Sequence, residues 1–385
     1  MQEPMIYLNN GATSYPKAPG VAEAMASAIR ELPGAANRSG IDDFDVMDAV
    51  RGELARLMGV KDQSRIALGM NATWGLNLAI FGLDLTASDW VLTTKAEHNS
   101  VLRPLYAISQ SHGVKVHYLD TDTQGRVPLD SWRLAMERFK PRLSVCTHAS
   151  NVTGAANDAA NLAAIAHEYN SLFLLDMSQT LGWLDIDLEG WEIDMAAFTG
   201  HKYLLGPQGT GGLYVRQGLE LTPHLVGGTG IHSDRDTMPP EMPVHMEAGT
   251  GNEPGAYGLL AALMWEKENP LADCRTAILS ELEFLKSSLI ELGAQVIDVA
   301  TPCTPVLSFS FAGLSPDDIG RLLADSYDIV VRTGLHCAPH IFDCLGVDSK
   351  KGTVRVSLSR FSTHEELEAL VEALRDIVYS ETDGS

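Results

Sequence analysis

The chain has 385 residues, 45% of them hydrophobic, and its 50 acidic against 28 basic residues give a formal charge of −22. That apolar content supports one large domain and a smaller one, each with a core, and excludes a disordered chain. A surface this negative repels phosphate backbones, which argues against a nucleic-acid partner.

No uncharged apolar run approaches the ~18 residues of a membrane span. Residues 1–5 show no basic region leading into an apolar one, so a soluble, cytoplasmic protein without a membrane partner is expected. The five cysteines, Cys146, Cys274, Cys303, Cys337 and Cys344, are too sparse for a disulfide scaffold and fit a reducing compartment.

From residue 18 to about 215, helical patterns alternate with short β-rich runs. Met47, Val50, Leu54 and Leu57 recur three and four apart, which marks one face of a helix. Strand-like runs follow at 65–68, 90–93, 115–118, 143–146 and 172–175, most of them trailed by a helix-length segment. This alternation predicts an α/β fold: a mostly parallel sheet flanked by helices, with ligands at the carboxyl ends of the strands. After about residue 255 the pattern changes. Helical stretches at roughly 255–268 and 272–292 lead into strand-like runs at 306–309, 329–331 and 353–356. Ser315-Pro316 supplies an N-cap and a first-turn proline, and Thr363-His364-Glu365-Glu366 a capping box. The division expected is a large domain over 15–255 and a smaller C-terminal α/β domain over 256–385, joined by residues 1–14.

Two segments carry the strongest chemical signal. Asp176-Met177-Ser178-Gln179 ends the most apolar strand, and a carboxylate there can pair with a buried cation such as a protonated pyridine nitrogen. Lys202, in Thr199-Gly200-His201-Lys202 before Gly206-Pro207-Gln208-Gly209, follows the next strand. A lysine between glycine turns at a strand end is partly desolvated, which lowers its pKa and permits Schiff-base chemistry. Together the two make the basic arrangement of a pyridoxal-phosphate (PLP) site. The turn 69–77, with Ala72 and Thr73, opens a helix whose N–H groups attract phosphate. His98, Asn151 and Arg355 lie at or near strand ends. Cys337 sits in a Gly- and Pro-flanked loop, where a neighbouring His or Arg favours the thiolate. His336, Cys337, His340 and Cys344 fit no common zinc spacing, so no metal is expected.

These motifs in this order resemble fold-type I PLP-dependent transferases of the class V aminotransferase group, and more narrowly the cysteine desulfurases and selenocysteine lyases. The resemblance runs from Tyr7-Leu8-Asn9-Asn10 to the last helix. It implies a PLP cofactor held by Ala72, Thr73, His98, Asn151, Asp176, Gln179, Thr199, His201 and Lys202. Thr250 of a second subunit would complete the phosphate cup of a homodimer. His98 would stack on the cofactor ring and shuttle protons, and Arg355, with Asn151 and more weakly Arg332, would bind the substrate. Arg332-Thr333-Gly334-Leu335-His336-Cys337-Ala338 resembles the SufS-like loop, which implies that Cys337 takes sulfur from L-cysteine as a persulfide, leaving L-alanine.

Alternatives are a selenocysteine lyase, a related PLP-dependent C–S lyase, and a non-catalytic PLP-binding or sulfur-carrier protein. A protein sulfur acceptor is a further implied partner. Two departures stand out: Asn37-Arg38-Ser39-Gly40-Ile41-Asp42 lacks the histidine of an Arg-Gly-x-His stretch, and Trp74 replaces a common acidic residue. The segment 227–230 resembles the broader desulfurase group.

Overall fold

The computed structural model describes residues 5–30, 44–301, 303–348 and 350–382. The departure at Asn37–Asp42 lies outside the described residues. The chain opens with a short strand β1 (Ile6–Tyr7) and helices α1 (Val21–Arg30) and α2 (Val46–Met58). It then alternates through β2 (Ile66–Gly69), α3 (Ala72–Gly82), β3 (Trp90–Thr94), α4 (Asn99–His112), β4 (Lys115–Leu119) and α5 (Leu129–Phe139). Next come β5 (Leu143–Thr147), α6 (Ala159–Glu168), β6 (Leu172–Asp176), β7 (Met195–Thr199) and β8 (Gly211–Val215).

The apolar face of α2 is wider than the sequence pattern: Val46, Val50, Leu54 and Met58 are buried, and Met47 and Leu57 pack partly against them. The helix stops at Gly59, whose φ of +66° lets its N–H reach Ala55 O.

Among the described residues, seven strands form one sheet in the order β2-β8-β7-β6-β5-β3-β4. The pairs β3–β4, β3–β5, β5–β6 and β6–β7 are parallel, and β8 runs antiparallel to both neighbours. The central strands β5 and β7 are buried at every residue, as expected of parallel strands with helices on both faces. Parallel pairing brings the carboxyl ends of β3, β5, β6 and β7 to one edge.

The remainder is α7 (Glu253–Glu268), α8 (Arg275–Glu291), β9 (Gln295–Val296), β10 (Val306–Ser310), α9 (Pro316–Tyr327), β11 (Ile329–Val330), β12 (Arg332–Gly334), α10 (Phe342–Leu345), β13 (Thr353–Ser357) and α11 (His364–Thr382). An antiparallel sheet, β12-β13-β10-β9, shares a core with α8, α9 and α11. β1 pairs in parallel with β11, and Leu8 is buried in that smaller core, so the N-terminal segment does return to it. The capping box of α11 forms: Thr363 Oγ1 accepts from Glu366 N at 3.3 Å and Glu366 Oε2 from Thr363 N at 3.0 Å. Ser315 makes no side-chain cap bond, leaving Pro316 to start α9.

One boundary shifts. Ala256, Leu259 and Leu263 of α7 join the large core beside α2, so the two cores divide after this helix and not at residue 255. The change of pattern in the sequence marks the end of strand alternation, whereas the helix that follows still closes the first core.

Ahead of α7, Glu247 straps its segment to β2. Both of its oxygens accept from Arg51 Nη2, at 2.8 and 2.7 Å, and Oε1 also accepts from Leu68 N at 2.6 Å. Arg51 is buried and further donates from Nε to Ile66 O. Glu247 is itself part-exposed, so water can partly replace it, and Glu247→Ala is expected to cost about 2 kcal/mol through the bonds lost at Arg51 and Leu68 N. A guanidinium-chloride unfolding midpoint equal to that of the native protein would show that the strap contributes nothing.

Candidate active site

The carboxyl edge of the large sheet opens on a cavity of about 220 Å³ whose lining includes Ala72, Thr73, His98, Asn151, Asp176, Gln179, Thr199, His201, Lys202, Arg332 and Arg355. Residues separated by almost 300 positions thus meet because each follows a strand or belongs to one. Thr250 is exposed and does not line the cavity of its own chain. A larger cavity of about 300 Å³ lies beside α8. Its one lysine, Lys286, is already paired with Glu283 and Asp298 at 2.6 and 3.0 Å, and it contains none of the sequence-derived site residues.

At one end of the cavity stands the start of α3. Asn71 caps the helix by accepting from Trp74 N at 3.0 Å, which leaves the first-turn N–H groups near Ala72 and Thr73 as anion-binding donors. The Trp74 ring lies across Gly69, where any Cβ would collide with it, and packs against the core on that face of the sheet. His201 Nδ1 is buried without a partner, while its backbone oxygen accepts from Ser14 N at 2.9 Å and Lys17 Nζ at 3.1 Å. Thr199 Oγ1 donates to Thr210 O at 3.3 Å.

Asp176, the last residue of β6, is 2% exposed. Ser178 donates to its Oδ1 from both amide and hydroxyl, leaving Oδ2 without a hydrogen-bond partner among the described residues. Gln179 holds Gly11 O from Nε2 at 3.0 Å, and its Oε1 is buried and unpaired. Burial pushes Lys202 down from 10.5 to about 8, although Asp176 pulls the other way and Arg355 and Arg332 reinforce the shift. Glu97 is fully buried. Its Oε1 accepts from Thr94 Oγ1 at 2.6 Å and Thr147 N at 3.0 Å, its Oε2 has no partner, and burial pushes it up to about 8. It ties the ends of β3 and β5 as a neutral acid.

Across from the sheet edge lies the small domain. Arg355 of β13 is completely buried, donating to Asn151 O at 2.8 Å and to Asn9 Oδ1 at 3.0 Å, with Nε unpaired. It makes no ion pair among the described residues. Burial and the neighbouring Arg332 lower it to about 10. Arg332 lines the same cavity, and its Nη2 donates to Cys337 Sγ at 3.0 Å. Asn151 spends its amide on His336 O at 2.6 Å.

Several site residues were not singled out by the sequence reading. Asn71 is recognisable as an N-cap before a helix. Ser100, Ser178 and Gly11 act through contacts to residues already chosen, and only folding shows them. All five cysteines are free, and no cluster of three or more metal-binding side chains occurs among the described residues.

The chain matches the aminotransferase class-V family over residues 6–370. It belongs to that family. Among curated proteins it is 30% identical to cysteine desulfurase CsdA of Escherichia coli, over 97% of this chain and 94% of that protein. It is 29% identical to a protein named probable cysteine desulfurase from Pyrococcus abyssi, over 99% of this chain and 96% of that one. The crystal structure of E. coli CsdA in its S-sulfonic acid form superposes with a TM-score of 0.86 at 27% identity, covering 99% of this chain and 96% of that one.

The donor set fits a phosphorylated pyridine aldehyde. Unpaired buried atoms on Gln179, His201 and Arg355, a helix start, a carboxylate with a free oxygen and an amine of lowered pKa all converge on one cavity. The Lys202 shift makes a testable statement. With burial lowering it to about 8, its Nζ is expected to lose its proton near pH 8 and not near the 10.5 of an ordinary lysine. In cofactor-stripped protein, reductive methylation of Lys202 should rise to half its limit near pH 8, followed by peptide mass spectrometry. A half-point shared with surface lysines would contradict the burial argument.

Proposed function

We propose that this class V aminotransferase-family chain is a PLP-dependent cysteine desulfurase that converts L-cysteine to L-alanine and takes the sulfur on Cys337 as a persulfide. The observation that carries the reading is the pair of arginines. Arg355 is buried against neutral acceptors only, so it lacks the anion that would neutralise it, and Arg332 is fixed on the Cys337 sulfur. Cys337 is not itself among the lining residues, but Arg332 lines the cavity and holds its sulfur, so the nucleophile stands just behind the wall that a carboxylate-bearing substrate at Arg355 would face. The names of the relatives support the same reaction.

PLP, when bound, supplies an electron sink for the carbanion at the substrate Cα. Lys202 would anchor it, Asp176 would hold the ring nitrogen, and the α3 start with Thr73, Thr199 and His201 would take its phosphate. Gln179 and Asn151 would border the ring, and His98 would lie on its face. Arg355 takes the substrate carboxylate as a bidentate fork. Lys202 Nζ, its pKa lowered to about 8, accepts the α-proton and returns one to the product. Cys337 Sγ, held by Arg332, attacks the substrate sulfur. The Sγ–S bond forms as the S–Cβ bond breaks, the bonding pair goes to Cβ, and a proton there completes alanine.

The active unit is proposed to be a homodimer in which each Thr250 serves the neighbouring cavity, since it is exposed in its own chain and its segment is strapped by Glu247. The persulfide would pass to a protein acceptor in the cytoplasm. No helix among the described residues is long and apolar enough to cross a membrane.

The test is Cys337→Ser. It should keep the yellow cofactor and its borohydride-trappable link to Lys202 while losing alanine formation from cysteine by ~100-fold or more, because the nucleophile alone is removed. The native chain should gain the mass of one sulfur at Cys337. Undiminished alanine formation by the variant would favour a lyase that expels its leaving group directly, and pyruvate in place of alanine would do the same.

A further inference from the structure

His98 caps α4 in an unusual way. Its Nδ1 accepts from the backbone N–H of Ser100 at 3.0 Å and lies 2.8 Å from the Ser100 hydroxyl. That hydroxyl is also 2.8 Å from Thr73 Oγ1, at the start of α3. Resting on the desulfurase reading above, we propose that Ser100 is a positioning residue: its amide and hydroxyl fix His98 in the tautomer with the proton on Nε2. His98 then gives the cavity a hydrogen-bond donor, while Lys202 carries the proton transfers.

The directions of these bonds follow from the donors. A backbone amide can only donate, so Nδ1 must offer its lone pair and cannot bear the proton of a neutral ring. With Nδ1 an acceptor, the Ser100 hydroxyl donates to it and its oxygen is free to accept from Thr73. The chain therefore runs one way, Thr73 to Ser100 to His98, which spends the one hydroxyl proton of Thr73 on Ser100 and leaves the backbone N–H groups of the α3 start for the phosphate. A hydroxyl and an amide sharing one lone pair also hold the ring plane, which a single bond does not.

Nε2 has no hydrogen-bond partner among the described residues, and His98 lines the cavity, so this is the ring atom left for cofactor or substrate. Burial pushes the ring down to about 3, with the cations of Lys202, Arg332, Arg355 and Arg103 acting in the same direction. Among the described residues no carboxylate accepts a bond from it. A ring that stays neutral and carries its proton on Nε2 has no lone pair facing the cavity, so it cannot take a proton there.

The experiment uses holoenzyme with ring-15N histidine, assigning His98 by the signals lost in His98→Gln. Native protein should show an unprotonated Nδ1 and a protonated Nε2, unchanged from about pH 6 to about pH 9. Ser100→Ala should shift the His98 Nδ1 resonance, leave the other histidines in place and keep the reducible link at Lys202. A proton on Nδ1, a titration within that window, or an unmoved resonance in Ser100→Ala would overturn the proposal.

Activity gives a second arm. Gln at position 98 retains an N–H donor, so His98→Gln should form alanine within ~10-fold of the native rate while His98→Phe falls ~100-fold or more. Equal losses in the two variants would make His98 a proton carrier and sink the assignment. If native enzyme forms no alanine at all, the desulfurase reading fails by itself, and the nitrogen spectra still decide the tautomer.

Discussion

Taking a guanidinium out of water costs several kcal/mol unless its hydrogen bonds are replaced and its charge is met. Arg355 replaces two of those bonds with a backbone carbonyl of the large domain, Asn151 O, and a side-chain oxygen of the N-terminal segment, Asn9 Oδ1. One side chain of the small sheet thereby joins three stretches of chain that meet nowhere in sequence. The charge itself is not met: both acceptors are neutral, Nε is unpaired, and the Arg332 cation opposes it. Such a group stabilises the assembly of the two domains geometrically while leaving an electrostatic deficit that an anionic ligand can fill. Preorganisation and incompleteness are thus the same feature, and a carboxylate that binds there gains energy the free protein cannot realise.

The cysteine loop shows how that arrangement is held under strain. His336 and Cys337 have φ of +49° and +60°, a left-handed conformation that side chains with a Cβ adopt at a cost of order 1–3 kcal/mol each. Three contacts from different elements pin it. Asn99 N, at the start of α4, donates to Cys337 O at 2.7 Å. Asn151 Nδ2 donates to His336 O, and His336 Nε2 lies 2.9 Å from Thr353 Oγ1 of β13. The same α4 turn that carries His98 therefore also positions the sulfur, and the same Asn151 that supports Arg355 by its carbonyl fixes the loop by its amide. The loop is compact because its backbone is over-determined, and Arg332 then needs only one bond to set the sulfur.

Much of this was legible in the sequence because strand ends are. The apolar runs at 90–93, 143–146 and 172–175 fall on β3, β5 and β6, and parallel pairing makes whatever follows them converge. Asp176, His98, Asn151 and Lys202 follow such strand ends and all line one cavity, although for His98 and Asn151 it is the family resemblance that turns a strand-end position into a functional expectation. β8 was harder to see, since Gly211-Gly212 weakens a strand pattern. The structure supplies the reason: a Cβ on Gly211 would lie 2.6 Å from Asn71 Cα and Phe198 O, and one on Gly212 would run into Ala67 O. Those glycines are there for space, not flexibility. What sequence could not give was which polar atom spends its bond on which partner. Arg332 lies only five residues from Cys337 and Ser100 two from His98, but whether those side chains meet depends on the turn each segment takes, and the Thr73–Ser100 contact joins the starts of two helices that no spacing relates. Thr250, absent from its own chain's cavity, rests on the family resemblance and its exposed position.

The charge balance of the molecule bears on selectivity. A chain of formal charge −22 should disfavour anions at long range, yet its cavity sets Lys202, Arg332 and Arg355 against the single carboxylate of Asp176. At physiological salt, fields from exposed charges are largely screened beyond about 8 Å, so the acidic surface acts weakly on a ligand already inside. Within the cavity the low dielectric makes each pairing stronger and each unpaired group costlier. An amino acid that fills Arg355 with its carboxylate satisfies a standing deficit, whereas a ligand lacking that group leaves it in place. On the proposed assignment of these residues, discrimination would fall to short-range hydrogen-bond geometry at Arg355, Asn9 and Asn151, and the carboxylate would set how far the rest of the ligand lies from Cys337.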